Sequence, residues 1–201
     1  HRIKRKAESQ ATGMVVLYGD VGTFVTRGSS VGNNLTGNTY QTDSDVTFKT
    51  NNTIGVDIAI TSVGGTYSLS YTIDGYLSQS PSIIVETSSA DTTIRQIADR
   101  LVDAVNSQSS YLYATRNNDN SVKVNIIDQS RIGNFSITGS ATLPRSYMPV
   151  YVTSTTYDSQ ESKVGQVTSI KTPVLGWRGV TNPYYIFPSK AIETDEDYRF
   201  R

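Results

Sequence analysis

Four carboxylates, Asp57, Asp74, Glu86 and Asp128, are the side chains best suited to reaction chemistry. A pair of them flanking a glycosidic bond would make a glycan hydrolase, one carboxyl acting as acid and the other as base or nucleophile. None of the four stands in a recognisable spacing, and each also reads as a turn or strand-edge residue. Other reactions lack their reagents. The chain has no cysteine and one histidine, His1, so thiolate zinc sites, cysteine nucleophiles, His-based triads and multi-His metal sites have no side chains to build them. Oxygen-rich turns at Asp43 and Asp45, Asn117 to Asn120, and Asp195 and Asp197 do not repeat the spaced ligands of an EF-hand loop. Gly19, Gly22, Gly28 and Gly32 lack the strand–GxGxxG–helix setting of a phosphate loop. The expectation is a non-enzymatic protein with no catalytic residue, no metal and no cofactor.

Contact chemistry is better supplied. Of 13 Tyr and one Trp, Tyr67 and Tyr71 fall on the apolar phase of a strand and read as core. Trp177, Tyr184, Tyr185 and Phe187 lie in a proline-rich stretch without a clean period. They read as exposed partner-contact residues, because aromatic rings bury large area while Tyr and Trp keep a polar handle. At the opposite end Arg2, Lys4, Arg5 and Lys6 make a locally basic arm suited to a neighbouring subunit or to phosphates. Glu193 to Asp197 is acidic, so head-to-tail contacts between copies have matching charge.

The whole chain of 201 residues carries 18 Lys+Arg against 18 Asp+Glu. Zero net charge argues against a generic nucleic-acid binder, which normally shows a basic surplus, and no specific nucleic-acid sequence recognition is expected. No apolar run approaches the ~20 residues of a membrane span. The basic start has no apolar stretch behind it and no initiator Met, so the chain reads as a processed product or part of a longer polypeptide. Its 25 Thr and 25 Ser, with 12 Asn, are polar without charge. Thr and Tyr favour strands, while Ser, Asn and Gly favour turns.

The expected class is therefore α+β and β-rich: a mostly antiparallel sheet with one packed helix, extended arms and a short β-rich C-terminal part. Residues 1–45 read as an N-terminal arm and loop, in which Met14 to Tyr18 is a short strand and 27–44 has too little apolar surface to order itself. Residues 46–143 read as an α+β domain of order β-β-β-α-β-β-β. Ile54, Val56, Ile58 and Ile60 alternate, then Gly64-Gly65, then Tyr67, Leu69, Tyr71 and Ile73 alternate, which predicts a hairpin. Ile94, Ile97, Ala98, Leu101, Val102, Ala104 and Val105 share one helical face over 91–106, with Asp91 as N-cap and Ser88 in a capping box. Tyr111 to Thr115 and Val122 to Ile126 form a second hairpin across Asn117 to Asn120. Residues 144–201 read as a β or extended segment after a junction at Ser140 to Pro149.

Across residues 56–140, the order Val56-Asp57-Ile58-Ala59-Ile60, Gly64-Gly65-Thr66-Tyr67, Tyr71-Thr72-Ile73-Asp74-Gly75, Thr92-Thr93-Ile94, Ile97-Ala98, Leu101, Ala104, Tyr111 to Ala114, Val122 to Ile126 and Phe135-Ser136-Ile137 resembles the sheet-and-helix domain near the start of the tail tubular protein B, or nozzle, family of short-tailed bacteriophages. The resemblance implies a ring-forming virion component, a nozzle, adaptor, collar or fibre-attachment protein, located in the phage tail or neck. It brings no catalytic residues. Its implied partners are copies of the chain in a ring and neighbouring virion proteins, with strand edges capped by neighbouring chains. Two rival readings stand beside it. One is a surface adhesin or carbohydrate-binding module that holds a host-surface glycan on exposed Tyr and Trp. The other is a degradative glycan enzyme using one of the four carboxylates.

Overall fold

The computed structural model describes residues 9–76, 80–87, 90–118, 120–157 and 160–188. Its strands are β1 (Thr12–Asp20), β2 (Phe24–Val25), β3 (Ser30–Asn33), β4 (Thr39–Thr42), β5 (Val46–Thr47), β6 (Gly55–Ile60), β7 (Thr66–Ile73) and β8 (Ser82–Glu86). Helix α1 (Ile94–Gln108) follows, then β9 (Leu112–Asn118), β10 (Ser121–Ile126), β11 (Gly133–Thr138), β12 (Ala141–Ser154), β13 (Val167–Ile170) and β14 (Trp177–Thr181). The large sheet runs β13-β3-β4-β12-β6-β10-β9, with β1 joined to β12 and β14 joined to β1. A second sheet runs β11-β7-β8, and β2 pairs with β5. The neighbours are antiparallel throughout, and the class is the expected β-rich α+β.

Alternation builds the first core. Val56, Ile58 and Ile60 of β6 and Val122, Val124 and Ile126 of β10 point to one side. They meet Tyr67, Leu69, Tyr71 and Ile73 of β7 and Ile83 and Val85 of β8 across the layer. Helix α1 joins this core with Ile97, Ala98, Leu101 and Val105, all buried. Ile97, Leu101 and Val105 each contribute about 1.5–3 kcal/mol from apolar burial. The helix begins at Thr93, not at Asp91: Thr93 and Gln96 form a reciprocal capping box. Asp91 lies two residues earlier and instead pairs with Arg100 at 3.0 Å. Ser88 falls outside the described residues.

The hairpin expected around Gly64-Gly65 is not formed. Strand β6 pairs with β10 and β12, whereas β7 pairs with β8 and β11. The two runs carry one apolar face each, and they use it by facing each other across the core instead of lying side by side. The second expected hairpin, β9–β10, is present.

The second core corrects the reading of residues 27–44 as a loop or arm. That stretch supplies β3 and β4, with Val31 and Tyr40 fully buried. The ordering comes from far along the chain. Asn33 donates to Ser162 Oγ at 2.9 Å, Tyr40 Oη lies 2.9 Å from the same Oγ, and β13 pairs with β3. Val15 and Leu17 of β1 and Met148, Val150 and Val152 of β12 complete this core with Trp177 and Ile186. Residues before 46 and after 144 thus share one interior.

The boundary at 143/144 and the junction at Ser140 to Pro149 fall inside β12. Both prolines are accommodated there. Pro144 sits where the β12–β6 register slips, between Thr142 and Arg145. Pro149 pairs with Val16 on one flank, and on its other flank the β6 pairing has ended at Tyr147 and the β4 pairing starts only at Val152. Neither proline must donate a ladder hydrogen bond.

Helix α1 also reaches one residue on each of two edge strands, β9 and β8. The Asn106 side chain donates to Ala114 O at 3.0 Å and accepts from Ala114 N at 2.8 Å, standing in for a strand partner of β9. Arg100 reaches the Glu86 carbonyl of β8 at 3.3 Å.

Candidate functional site

A strand that buries every second side chain must turn the others to the opposite face. On β6 this places Asp57 on the outer face of the large sheet. The register puts Arg145 of β12 and Lys123 of β10 opposite Asp57, and Tyr18 of β1 opposite Tyr147 of β12. The result is a polar belt across four neighbouring strands.

Asp57 is 1% exposed although it faces away from both cores. Tyr18 Oη donates to its Oδ2 at 2.7 Å and Tyr147 Oη to its Oδ1 at 2.9 Å. Asn117 Nδ2 adds a bond to Oδ2 at 3.3 Å, and Arg145 Nη1 lies 3.9 Å from the same oxygen. The two phenol rings stack with centroids 4.7 Å apart. Arg145 also donates to Asp20 Oδ1 at 3.2 Å, and Arg178 grips both Asp20 oxygens, the shorter contact being 2.7 Å. Lys123 Nζ sits 4.4 Å from the centre of the Tyr147 ring.

The electrostatics follow from this packing. Burial, reinforced by the Asp57 charge and hydrogen bond, pushes the Tyr147 hydroxyl above the usual phenol range. Burial and the same carboxylate raise Tyr18. The Arg178 hydrogen bond is the main reason the Asp20 carboxyl is lowered. Burial lowers Lys123, and the Asp57 charge partly opposes that. Phenols held in their neutral form are donors, so both Asp57 oxygens are occupied as acceptors. The arrangement is one of cross-strand anchoring.

The other three carboxylates lie on separate elements. Asp74 follows β7 in a turn, its N–H bonded to Ile132 O. Glu86 ends β8. Asp128 accepts from the Ser130 hydroxyl at 2.6 Å and the Ser130 amide at 3.1 Å. Among the oxygen-rich turns, Asp45 accepts from Arg27 N and Asp43 from the Thr153 hydroxyl, both ordinary loop contacts. Asp195 and Asp197 lie outside the described residues.

The expected contact residues divide. Arg2, Lys4, Arg5 and Lys6 lie outside the described residues, as does the acidic 193–197 stretch. Trp177 is 6% exposed, which corrects its reading as an exposed ring: it begins β14 inside the second core and donates its Nε1–H to Gly179 O at 2.9 Å. Tyr184 and Phe187 are exposed, at 44% and 70%. Tyr185 is half-buried, donates to the Glu161 carboxylate and meets Phe187 edge-on at 5.0 Å. Ile186, fully buried between them, pins the segment through paired backbone bonds to Ser162.

A cleft of about 300 Å3 opens beside the belt, lined by Val16, Tyr18, Asn117, Lys123, Tyr147 and Thr181 among others. Sequence reasoning named Asp57 but missed Tyr18, Lys123, Arg145 and Tyr147. A signal was present: Asp57 and Lys123 are charges on the minority phase of strands whose other phase is wholly aliphatic. What pairs them is the β12–β6–β10 register, which no local pattern contains. Set against known proteins, the chain matches no family model and no curated protein.

Proposed function

We propose that the chain is a non-enzymatic structural component of a bacteriophage virion, in the tail or neck, that works by multi-copy assembly as a nozzle, adaptor, collar or fibre-attachment protein. The observation that carries this reading is the Tyr184–Phe187 segment. Two large rings, Tyr184 and Phe187, are held out to solvent on a backbone pinned by Ile186 and Ser162. A rigidly mounted aromatic loses little conformational freedom on docking, which is what an interface anchor requires. A second exposed aromatic group, Tyr76 and Tyr111 with ring centres 5.6 Å apart and Ile127 beside them, offers a separate contact face. Two distinct patches on one subunit suit a heterologous, ring-closing contact. The resemblance over residues 56–140 and the uncharged, hydroxyl-rich composition support the same reading. Under it, the basic start and acidic end serve as contact arms.

The test is the native mass of the source material by sedimentation, with associated polypeptides identified, followed by the purified Tyr184→Ser/Phe187→Ser double variant. The expected result is a many-copy species associated with other virion proteins, and loss of that species in the variant while the secondary-structure signal stays unchanged. A 22 kDa chain that sediments alone at every concentration, with no co-sedimenting partners, overturns the proposal.

A further inference from the structure

The polar belt holds one cation more than it can pair. Lys123, Arg145 and Arg178 face Asp57 and Asp20. Asp20 takes both guanidiniums. Asp57 is filled by Tyr18, Tyr147 and Asn117. Among the described residues, no hydrogen bond or ion pair reaches Lys123 Nζ, whose one close neighbour of note is the Tyr147 ring. A half-buried ammonium attracted only by the Asp57 carboxylate across the strand pair, whose oxygens other groups already fill, is still short of a partner, and an arriving anion lowers that penalty.

The surroundings narrow what the anion is attached to. Val16, Tyr18 and Tyr147 give the cleft an apolar and aromatic wall. Thr181 contributes a hydroxyl, and Asn117, whose Nδ2 is used on Asp57, keeps its Oδ1 as an acceptor. Neutral donors and acceptors set around an aromatic wall match a ring carrying several hydroxyls. The volume, about 300 Å3, is at the small end of ligand pockets and suits a single ring.

We propose that the Lys123 cleft is a binding site for one carboxylate-bearing sugar, with Lys123 pairing the carboxylate and Asn117 and Thr181 meeting the ring hydroxyls. The site is separate from the Tyr184–Phe187 segment. It does not depend on the assembly reading, since a monomer would bind as well as a ring.

The experiment titrates the full chain with glucuronate, N-acetylneuraminate, glucose and acetate, followed by calorimetry. The expected result is saturable millimolar binding of at least one acidic sugar, with glucose and acetate each about tenfold weaker or more, the size of one charge-assisted hydrogen bond. Lys123→Gln should weaken the acidic sugar by about the same factor and leave glucose unchanged. Should Lys123→Gln fail to fold, Thr181→Glu, which adds a repelling charge at the exposed rim, should weaken the acidic sugar selectively. No saturable binding of either acidic sugar overturns the proposal. So does equal binding of glucose, which would mean the charge is not read, or equal binding of acetate, which would mean the ring is not read. Unchanged affinity in a folded Lys123→Gln chain overturns it as well.

Discussion

Tyr147 and Asp57 stand diagonally on adjacent strands, Tyr147 opposite Gly55 and Asp57 opposite Arg145, and the phenol reaches across to donate to the carboxylate at 2.9 Å. Tyr18 does the same from the next strand over, at 2.7 Å. One buried carboxylate therefore ties β1, β12 and β6 together on the face that carries only the small apolar cluster of Val16, Ile54 and Tyr147.

Removing that carboxylate leaves two phenol hydroxyls without their acceptor. Asp57→Ala should lower unfolding free energy by on the order of 3 kcal/mol, since each unsatisfied buried donor costs about 1–3. Tyr147→Phe deletes one bond to a charge and should lose about 2 kcal/mol. Because both changes break the same contact, the double variant should lose clearly less than the sum of the singles. Urea unfolding with an unchanged slope measures all three. Additive losses would show that the contact carries no coupling.

The raised phenols set an alkaline limit. A tyrosine whose folded-state pKa lies above its unfolded value near 10 binds more protons when folded. Its contribution is fully present below about pH 10 and falls as pH rises through the folded value. Tyr147 and Tyr18 are both shifted this way. Stability should therefore fall above about pH 10, and the decline should be shallower in Tyr147→Phe. Lys123 acts in the opposite sense: its lowered folded value means that stability gains as pH rises from that value towards its unfolded one. Lys123→Gln should accordingly remove the rise in stability below about pH 10.5 and leave the tyrosine loss at higher pH in place. Urea midpoints measured across the alkaline range, wild type against each variant, check both signs.

Asn106 gives a prediction about edges. Its amide supplies the edge-facing backbone of the buried Ala114 with both a donor and an acceptor. Asn106→Leu raises helix propensity but leaves the β9 edge unpaired at that residue. An open edge invites strand addition from another chain. The variant should lose about 1–2 kcal/mol and scatter light at concentrations where the wild type stays clear. An Asn106→Leu chain as soluble as the wild type would show that packing alone protects β9.

The alternating runs of β6, β7, β9 and β10 and the helix were legible in the sequence because each carries its own period. Val56, Ile58 and Ile60 announce a buried face without reference to anything else. The β3–β4 segment was not legible, since Val31 and Tyr40 are its only large core side chains and its order comes from Ser162, some 120 residues away in sequence. Pro144 and Pro149 read as a break because local rules place prolines outside strands, and only the staggered pairing of β12 exempts them. Trp177 was misjudged for the same reason: no period marks β14, whose burial is set by β1. Asp57 was visible as a residue, but its role depends on phenols 39 and 90 positions away.

Gly19 offers a steric test of how β1 meets β14. It sits where the β14 register slips, between Tyr18 and Gly19. A Cβ there would come within 2.6 Å of the Phe48 ring and 2.7 Å of the Gly176 carbonyl. Phe48 is fully buried and cannot swing away, and the carbonyl accepts from Asp20 N at 2.8 Å. Gly19→Ala should therefore cost about 1–3 kcal/mol, the range for overpacking. Phe48→Leu in the same chain should relieve only the ring clash, because the carbonyl stays. Gly22→Ala is the control. Nothing lies near its Cβ, but its φ of 94° is left-handed, so it should lose about 1–2 kcal/mol and be unaffected by Phe48→Leu. Coupling of Phe48→Leu to Gly19→Ala but not to Gly22→Ala, read by urea unfolding, would locate the strain in the β1–β14 contact; equal coupling to both would place it elsewhere.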